Sequence, residues 1–100
     1  MARVVYASRA LADFERIVSF LVEHEPKLAG IVVSRIHEAV SALQRHPLLG
    51  RSVEEGLREL VISHGRTGYI ALYRFLRAED VVLVLALRHQ REVGYADVDE

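Results

Sequence analysis

The fold of this chain is decided by residues 57–89, which read LRELVISHGRTGYIALYRFLRAEDVVLVLALRH. Three largely apolar runs, Leu57–Ser63, Tyr69–Arg77 and Val81–His89, are separated by short polar segments that are typical of turns. This pattern predicts three consecutive strands that pair with their neighbours as a meander. The third run is almost continuously apolar, which indicates a central strand that is covered on at least one face.

Two helices are predicted ahead of these strands. Apolar residues recur at helical spacing from Arg9 to about His24 and from Pro26 to about Arg45. Ser8 is the expected N-cap of the first helix, and Pro26 suits the first turn of the second. Because the break between the helices is short, they are expected to fold back as an antiparallel hairpin. An opening strand, Arg3–Ala7, precedes them.

The helices are expected to bury their apolar residues against the sheet. In the first helix these are Leu11, Phe14, Ile17, Val18, Leu21 and Val22. In the second they are Leu28, Ile31, Val32, Ile36, Ala39, Val40 and Leu43. Asp13, Glu15, Arg16 and Glu23 are expected on the polar face of the first helix.

The remaining segments are predicted without regular structure. His46–Gly56 reads as a loop, and residues 92–100 read as a short acidic tail. A length of 100 residues suits one domain. The sequence therefore predicts an α+β fold in the order β-α-α-β-β-β. Its helical hairpin, about residues 9–45, packs on a small, mainly antiparallel sheet that includes the three-strand meander, about residues 57–89.

Composition excludes several classes of function. The chain has 13 basic and 14 acidic residues, so a protein that binds by neutralising many phosphates is disfavoured. There is no cysteine, HExxH motif or paired histidine spacing, and no metal site is expected. No apolar run is long enough to span a membrane, and the expected location is the cytoplasm.

Five segments together carry a resemblance to a known family. They are Ser8–Phe14, His46–Arg51, Gly56–Leu60, Gly68–Arg74 and Val82–Arg91. In this order they resemble the ParE/RelE superfamily, the toxins of bacterial type II toxin–antitoxin modules, which include plasmid stabilisation proteins. The resemblance covers nearly the whole chain and implies the same β-α-α-β-β-β core.

The resemblance also implies a partner. A cognate antitoxin would be encoded beside the toxin, and its C-terminal segment would fold around the toxin to form a hetero-oligomer. The apolar fraction of 51% agrees with this, since a chain of this size leaves part of its apolar residues on the surface. No cofactor is implied.

Two activities divide the superfamily. ParE-like members inhibit DNA gyrase and so cause growth arrest, whereas RelE-like members cut messenger RNA in the ribosome. The segment Leu87–Arg91 resembles the ParE-type ending, and a neutral chain whose only lysine is Lys27 is a poor match for docking on ribosomal RNA. The gyrase hypothesis is therefore favoured. The candidates for target contact are Arg88, His89, Arg91, Arg51 and Arg66.

The alternative hypothesis is a ribosome-dependent mRNA endonuclease. Such an enzyme needs a proton acceptor for the 2′-hydroxyl, a proton donor for the leaving oxygen and cations at the phosphate. His89, Arg74, Arg58 and Glu59 are the candidates, because some RNA-cleaving members use a Glu, an Arg and a His at comparable places. In those members an aromatic residue usually follows the His, whereas Gln90 stands here.

Strand alternation leaves open whether Glu59, Arg74 and His89 point the same way. His89 is expected to share a face with Val81, Leu83, Leu85 and Leu87. Tyr69 and Tyr73 are expected to pack in the core or at its rim, and Arg58 and Arg74 to pair across strands with Glu59 or Glu79. A further hypothesis is an inactive member that serves as an antitoxin-binding or regulatory module.

Overall fold

The computed structural model of the chain describes residues 1–62 and 68–90. Within them the elements are β1 (Arg3–Tyr6), α1 (Ser8–His24), α2 (Pro26–Ala42), β2 (Arg51–Glu54), β3 (Leu57–Ile62), β4 (Tyr69–Leu76) and β5 (Val81–His89). The strands form a mixed sheet in the order β1-β5-β4-β3-β2, in which β1 and β5 are parallel and the other pairs antiparallel. The predicted α+β architecture is confirmed, with one strand more than expected.

The additional strand is β2, which lies in the segment that was predicted to be a loop. Its residues pair antiparallel with β3, and all of them are exposed. An edge strand with both faces in solvent shows no apolar alternation, which explains why its sequence did not indicate a strand. Gly56 closes the turn to β3 with a φ of +71°.

The first helix differs from its prediction in the face that it buries. Its buried residues are Ala10, Asp13, Ile17 and Leu21. Leu11 is 50% exposed and Val22 57% exposed, so the buried stripe is displaced by about one residue from the predicted one. The assignment of Asp13 to the polar face is wrong.

The start of α1 also differs from the prediction. The helix begins at Ser8 itself, and Ala7 occupies the N-cap position without a side-chain hydrogen bond. The predicted capping role of Ser8 is therefore wrong. Pro26 does lie in the first turn of α2, where its missing N–H group costs no helical hydrogen bond.

The core lies between the two helices and one face of the sheet, which we call the helix-side face. It is built from apolar residues of both helices and of β3, β4 and β5. On the sheet it contains Leu60, Ile62, Tyr69, Ala71, Tyr73, Val82, Val84 and Leu87. We call the opposite side of the sheet the outer face. The predicted packing of Tyr69 and Tyr73 in the core is confirmed, since both are buried.

A β-bulge interrupts the pairing of β4 and β5. Leu72 pairs with Ala86 and Tyr73 pairs with Val84, so Leu85 is an extra residue on β5 that has no partner on β4. Because side chains alternate along a strand, one extra residue exchanges the faces of every side chain beyond it.

The bulge sets the direction of the last residues of β5. Leu87 is buried in the core, and His89 pairs with Tyr69, another residue of the helix-side face. The predicted grouping of His89 with Leu87 is confirmed. Its grouping with Val81 and Leu83 is wrong, because those residues precede the bulge and lie on the outer face.

The segment between α2 and β2 is fixed by two side chains, an arrangement that we call the Tyr73 clamp. The Tyr73 hydroxyl donates to the carbonyl oxygen of Pro47 at 2.8 Å and accepts from the N–H of Gly50 at 2.8 Å. The Arg58 guanidinium donates to the carbonyl oxygens of Gly50 at 2.7 Å and Leu48 at 3.3 Å. A Cβ atom on Gly50 would lie 2.7 Å from the Tyr73 ring, so the close approach requires glycine.

Replacing Tyr73 with Phe is expected to lower the free energy of unfolding at neutral pH by about 1–3 kcal/mol, because Pro47 and Gly50 lose a buried hydrogen-bond partner. Urea denaturation at pH 7 measures the change. Tyr6→Phe is the matched control, since Tyr6 has no part in the clamp. An equal loss in both variants would contradict the clamp.

The Tyr73→Phe variant also tests alkaline stability, by comparison with the natural chain. Burial raises the pKa of Tyr73, although the Gly50 hydrogen bond and the Arg58 charge lower it in part. Because this pKa is higher in the folded state, its contribution to stability is complete below the ordinary tyrosine pKa, near 10, and is lost as pH rises through the folded value. Urea denaturation between pH 9 and pH 11 is expected to show a shallower decline for Tyr73→Phe than for the natural chain.

Candidate functional site

The end of β5 holds two of the predicted target-contact residues, and we call residues 87–90 the β5 exit. The rings of His89 and Tyr69 meet edge to face, with their centres 5.1 Å apart and their planes at 86°. Gln90 donates its backbone N–H to the carbonyl oxygen of Gly68 at 2.8 Å, so β5 and the start of β4 remain joined here. The β5 exit is therefore held in place by its neighbours.

Arg88 and His89 point to opposite faces of the sheet. Arg88 pairs with Ile70 on the outer face, whereas His89 pairs with Tyr69 on the helix-side face. The Arg88 guanidinium bends towards the end of the strand and donates to the carbonyl oxygens of His89 at 3.3 Å and Gln90 at 3.4 Å. The β5 exit thus presents one guanidinium and one imidazole on two sides of the same strand end.

Arg51 and Glu59 form an ion pair between β2 and β3. The Arg51 guanidinium lies 3.0 Å from the Glu59 carboxylate. The two residues are register partners, and the Glu59 side chain is 10% exposed whereas that of Arg51 is 74% exposed. Burial of a carboxylate is unfavourable unless it is paired, so this contact gives Glu59 a structural task.

The other two predicted site residues of β3 and β4 lie against loops. Arg58 holds the carbonyl groups of the Tyr73 clamp. The Arg74 guanidinium lies where a Cβ atom on Gly56 would stand, so it packs against the turn between β2 and β3. Both side chains therefore contact the segments that flank β2.

The four predicted catalytic residues do not share one face. Arg58 lies opposite Tyr73 on the helix-side face, where His89 also lies, whereas Glu59 and Arg74 are on the outer face. Along β4, the partners of Arg58 and His89 are separated by four residues, or about 13 Å at the usual rise of a strand. The structure thus brings Arg51 and Glu59 together, but it does not gather the four candidates around one point.

Two predicted target-contact residues, Arg66 and Arg91, lie outside the described residues, as does the acidic tail. Over residues 1–62 and 68–90, no group of three or more His, Asp or Glu side chains is arranged to hold a metal ion. In the same part of the chain, no helix is long and apolar enough to cross a membrane.

An apolar groove of about 470 Å³ lies beside the Tyr73 clamp. It is lined by His46, Pro47, Leu48, Leu49, Phe75 and Arg77. The Arg77 guanidinium carbon is 5.6 Å from the centre of the Phe75 ring, a cation–π contact. None of the predicted site residues lines this groove.

Two residues that shape the site were assigned other tasks from the sequence. Tyr73 was expected to pack, but its hydroxyl also fixes the loop that Arg58 contacts. Asp13 was expected in solvent, but it is buried against β5. Its spacing from Ala10 and Ile17, three and four residues away, was the signal that it belongs to the buried stripe.

Comparison with known proteins agrees with this architecture. The chain is 36% identical over 73 residues to Toxin RelE1 of Caulobacter vibrioides, which covers 73% of this chain and 78% of that protein. It is 30% identical to Toxin RelE3 of the same organism over 92% of this chain and 98% of that protein.

Solved structures show the same fold. The chromosomal ParDE toxin–antitoxin system from P. aeruginosa contains a chain that matches with a TM-score of 0.73 and 26% identity, covering 89% of this chain and 96% of that one. A chain of the intact E. coli RelBE toxin–antitoxin complex matches with a TM-score of 0.65 at 14% identity, covering 92% of this chain and 100% of that one, a likeness of fold alone.

A family model gives the assignment. The model described as the ParE toxin of the type II toxin–antitoxin system parDE matches residues 4–94, nearly the whole chain. The resemblance inferred from the sequence is thereby confirmed. The chain belongs to the ParE family of type II toxin–antitoxin toxins, within the ParE/RelE superfamily.

Proposed function

We propose that this ParE-family toxin acts by binding DNA gyrase and blocking replication, and that a cognate antitoxin neutralises it. The observation that carries the proposal is the division of the four catalytic candidates between the two faces of the sheet. Cleavage of a phosphodiester requires a base, an acid and cations around one phosphate. Inhibition by binding has no such requirement.

The charge of the chain supports the same conclusion. With 13 basic and 14 acidic residues, it lacks the positive excess that favours association with ribosomal RNA. Arg58 and Glu59 also have structural partners, in the Tyr73 clamp and in Arg51. Neither is therefore available as it stands for a substrate phosphate or a 2′-hydroxyl.

The β5 exit is the proposed point of target contact. Arg88 and His89 project from opposite faces of one strand end, and Tyr69 supports the imidazole ring. A guanidinium and an imidazole in this position suit polar contact with a protein surface, where arginine is enriched among residues that contribute most to binding. Arg91, which follows directly in sequence, belongs to the same proposed contact.

The exposed apolar residues of the helical hairpin support an antitoxin partner. Leu11, Phe20 and Val22 on α1 and Ile31 on α2 are each at least half exposed. Exposed apolar side chains on these two helices favour a partner that covers part of this surface, such as an amphipathic segment that folds on binding. Co-expression with the product of the adjoining open reading frame, followed by co-purification, tests whether that product is the antitoxin.

A second candidate is supported by the names of the two curated relatives described above, Toxin RelE1 and Toxin RelE3. On that hypothesis the chain is a ribosome-dependent mRNA endonuclease in which His89 handles a proton and Arg58, Arg74 and Glu59 complete the site. The four groups would have to meet on the ribosome. Arg58 would then have to leave the carbonyl groups of the Tyr73 clamp, and Glu59 would have to leave Arg51. An inactive regulatory member would cause no growth arrest.

Expression of this chain alone from a tightly controlled promoter is expected to stop DNA synthesis before protein synthesis, because gyrase is needed for replication. Incorporation of labelled thymidine and methionine, followed over the first minutes after induction, measures the order. A fall in methionine incorporation that comes first would contradict the gyrase proposal and favour mRNA cleavage. Normal growth would favour the regulatory module.

Replacing His89 with Ala is expected to weaken inhibition of gyrase supercoiling by about tenfold, the loss of one good contact. If His89 instead transfers a proton, mRNA cleavage should fall by about 10²–10⁴-fold. Both assays use the purified chain. His37→Ala, on the exposed side of α2, is the matched control and is expected to change neither activity.

A further inference from the structure

Asp13 is a buried carboxylate whose role is explained neither by the fold class nor by the proposed target contact. It is 3% exposed and lies in the buried stripe of α1, between Ala10 and Ile17. An ionised carboxylate in such a place costs several kcal/mol unless its oxygens are paired. An apolar residue would be the expected occupant, so the contacts of Asp13 indicate what it does.

Both oxygens of the Asp13 carboxylate have partners. Oδ2 accepts a hydrogen bond from the backbone N–H of Leu87 on β5 at 3.0 Å. Oδ1 accepts from the Arg9 guanidinium at 2.9 Å and from the Arg16 guanidinium at 3.4 Å, one turn away on either side of α1. The two partly exposed arginines balance the carboxylate charge from the solvent side, while Oδ2 is directed at β5.

The hydrogen bond between Asp13 and the Leu87 N–H takes the place of one that a neighbouring strand would supply. The pairing of β1 with β5 ends where Tyr6 lies opposite Val84, and Ala7 donates the next backbone hydrogen bond to Val84 at 2.9 Å. Within the described residues, β5 continues to His89 without a strand on that side. A buried backbone N–H without a partner is unfavourable, and the Asp13 carboxylate satisfies the one at Leu87.

This contact lies at the point where the direction of the β5 exit is set. The bulge at Leu85 exchanges the faces of the residues beyond it, and Leu87 is the second residue after the bulge. Arg88 and His89 follow immediately. Since successive Cα atoms are only about 3.8 Å apart, the position of the Leu87 amide largely determines where the next two side chains begin.

We infer that Asp13 is the positioning residue of the β5 exit, holding Leu87 from α1 so that Arg88 and His89 meet the target in a fixed orientation. The inference deepens the proposed function and rests on it for the identity of the target. Arg9 and Arg16 pair with Oδ1 and orient the carboxylate, and Oδ2 holds β5 through the Leu87 N–H.

Three variants of the full chain separate positioning from stability. Asp13→Ala removes the acceptor, whereas Asp13→Asn keeps an oxygen for the Leu87 N–H and loses the charge. Ile17→Ala removes a buried side chain from the next turn of the same stripe without touching the Leu87 amide, and is the matched control for lost stability.

The first readout does not depend on the target. In ¹⁵N–¹H spectra, Asp13→Ala is expected to shift the Leu87 amide and to lower its hydrogen-exchange protection about tenfold more than Ile17→Ala does. The His89 ring protons should also move, because their contact with the Tyr69 ring changes. Asp13→Asn should retain both signals. Unchanged Leu87 and His89 signals in Asp13→Ala would overturn the inference.

The second readout is inhibition of gyrase supercoiling per folded molecule. It is expected to fall about tenfold in Asp13→Ala and to stay within about threefold of the natural chain in Asp13→Asn and Ile17→Ala. Equal losses of inhibition in Asp13→Asn and Asp13→Ala would show that the ion pairs with Arg9 and Arg16 matter and not the hydrogen bond to Leu87. That result would overturn the positioning role. If the natural chain does not inhibit gyrase, the proposed function fails, while the spectra still decide the role of Asp13.

If Asp13→Ala does not fold, Asp13→Asn and Arg9→Gln decide the question. The positioning role predicts that both retain the Leu87 amide signal and the His89 ring signals, because each leaves an oxygen acceptor at residue 13. Loss of these signals in a folded Asp13→Asn protein would overturn it.

Discussion

The extra residue at Leu85 is the constraint on which the far end of the sheet depends. An unbroken β5 would turn His89 to the outer face and remove Leu87 from the core. With the bulge, Leu87 enters the core and the His89 ring meets Tyr69. A single inserted position thus satisfies packing and sets the direction of a polar strand end at the same time.

Buried polar groups support the parts of this fold that hydrogen bonding between strands does not reach. The Tyr73 hydroxyl bonds the backbone on both sides of the turn before β2. The Asp13 carboxylate bonds β5 beyond the end of β1. In each case the buried polar group is hydrogen-bonded to the backbone, so its burial stabilises one arrangement of the backbone over nearby alternatives. The bulge and the Asp13 contact act at the β5 exit, which we propose as the point of target contact, whereas the Tyr73 clamp acts on the segment before β2.

Much of the fold follows from sequence periodicity, and its exceptions have physical causes. The helical hairpin and the strands β3, β4 and β5 were predicted because long apolar patterns repeat over each of them. The strand β2 was missed because both of its faces are exposed. The bulge was missed because β5 is apolar on both faces, so an inserted residue leaves no break in the pattern. The buried position of Asp13 was missed because charge was given more weight than its helical spacing.

The candidate site was predictable only in part for the same reasons. The residue types at the β5 exit were evident from the string that ends β5, but their directions depend on the bulge. The partners of Arg58 and Glu59 could not be derived, because Arg58 bonds backbone carbonyl groups and Glu59 bonds a residue of the unpredicted strand β2. Side chains whose partners lie on an unrecognised element cannot be assigned from strand alternation alone.

The pairing of the first strand with the last has a consequence for how the protein is made. Asp13 and Leu87 are 74 residues apart, and among the described strands β1 pairs only with β5. Chains are synthesised from the N-terminus, so α1 is synthesised long before the strand that Asp13 contacts. Until β5 is made, the Asp13 carboxylate lacks its partner and the β5 exit does not exist. A nascent chain therefore cannot carry this surface before β5 has been synthesised.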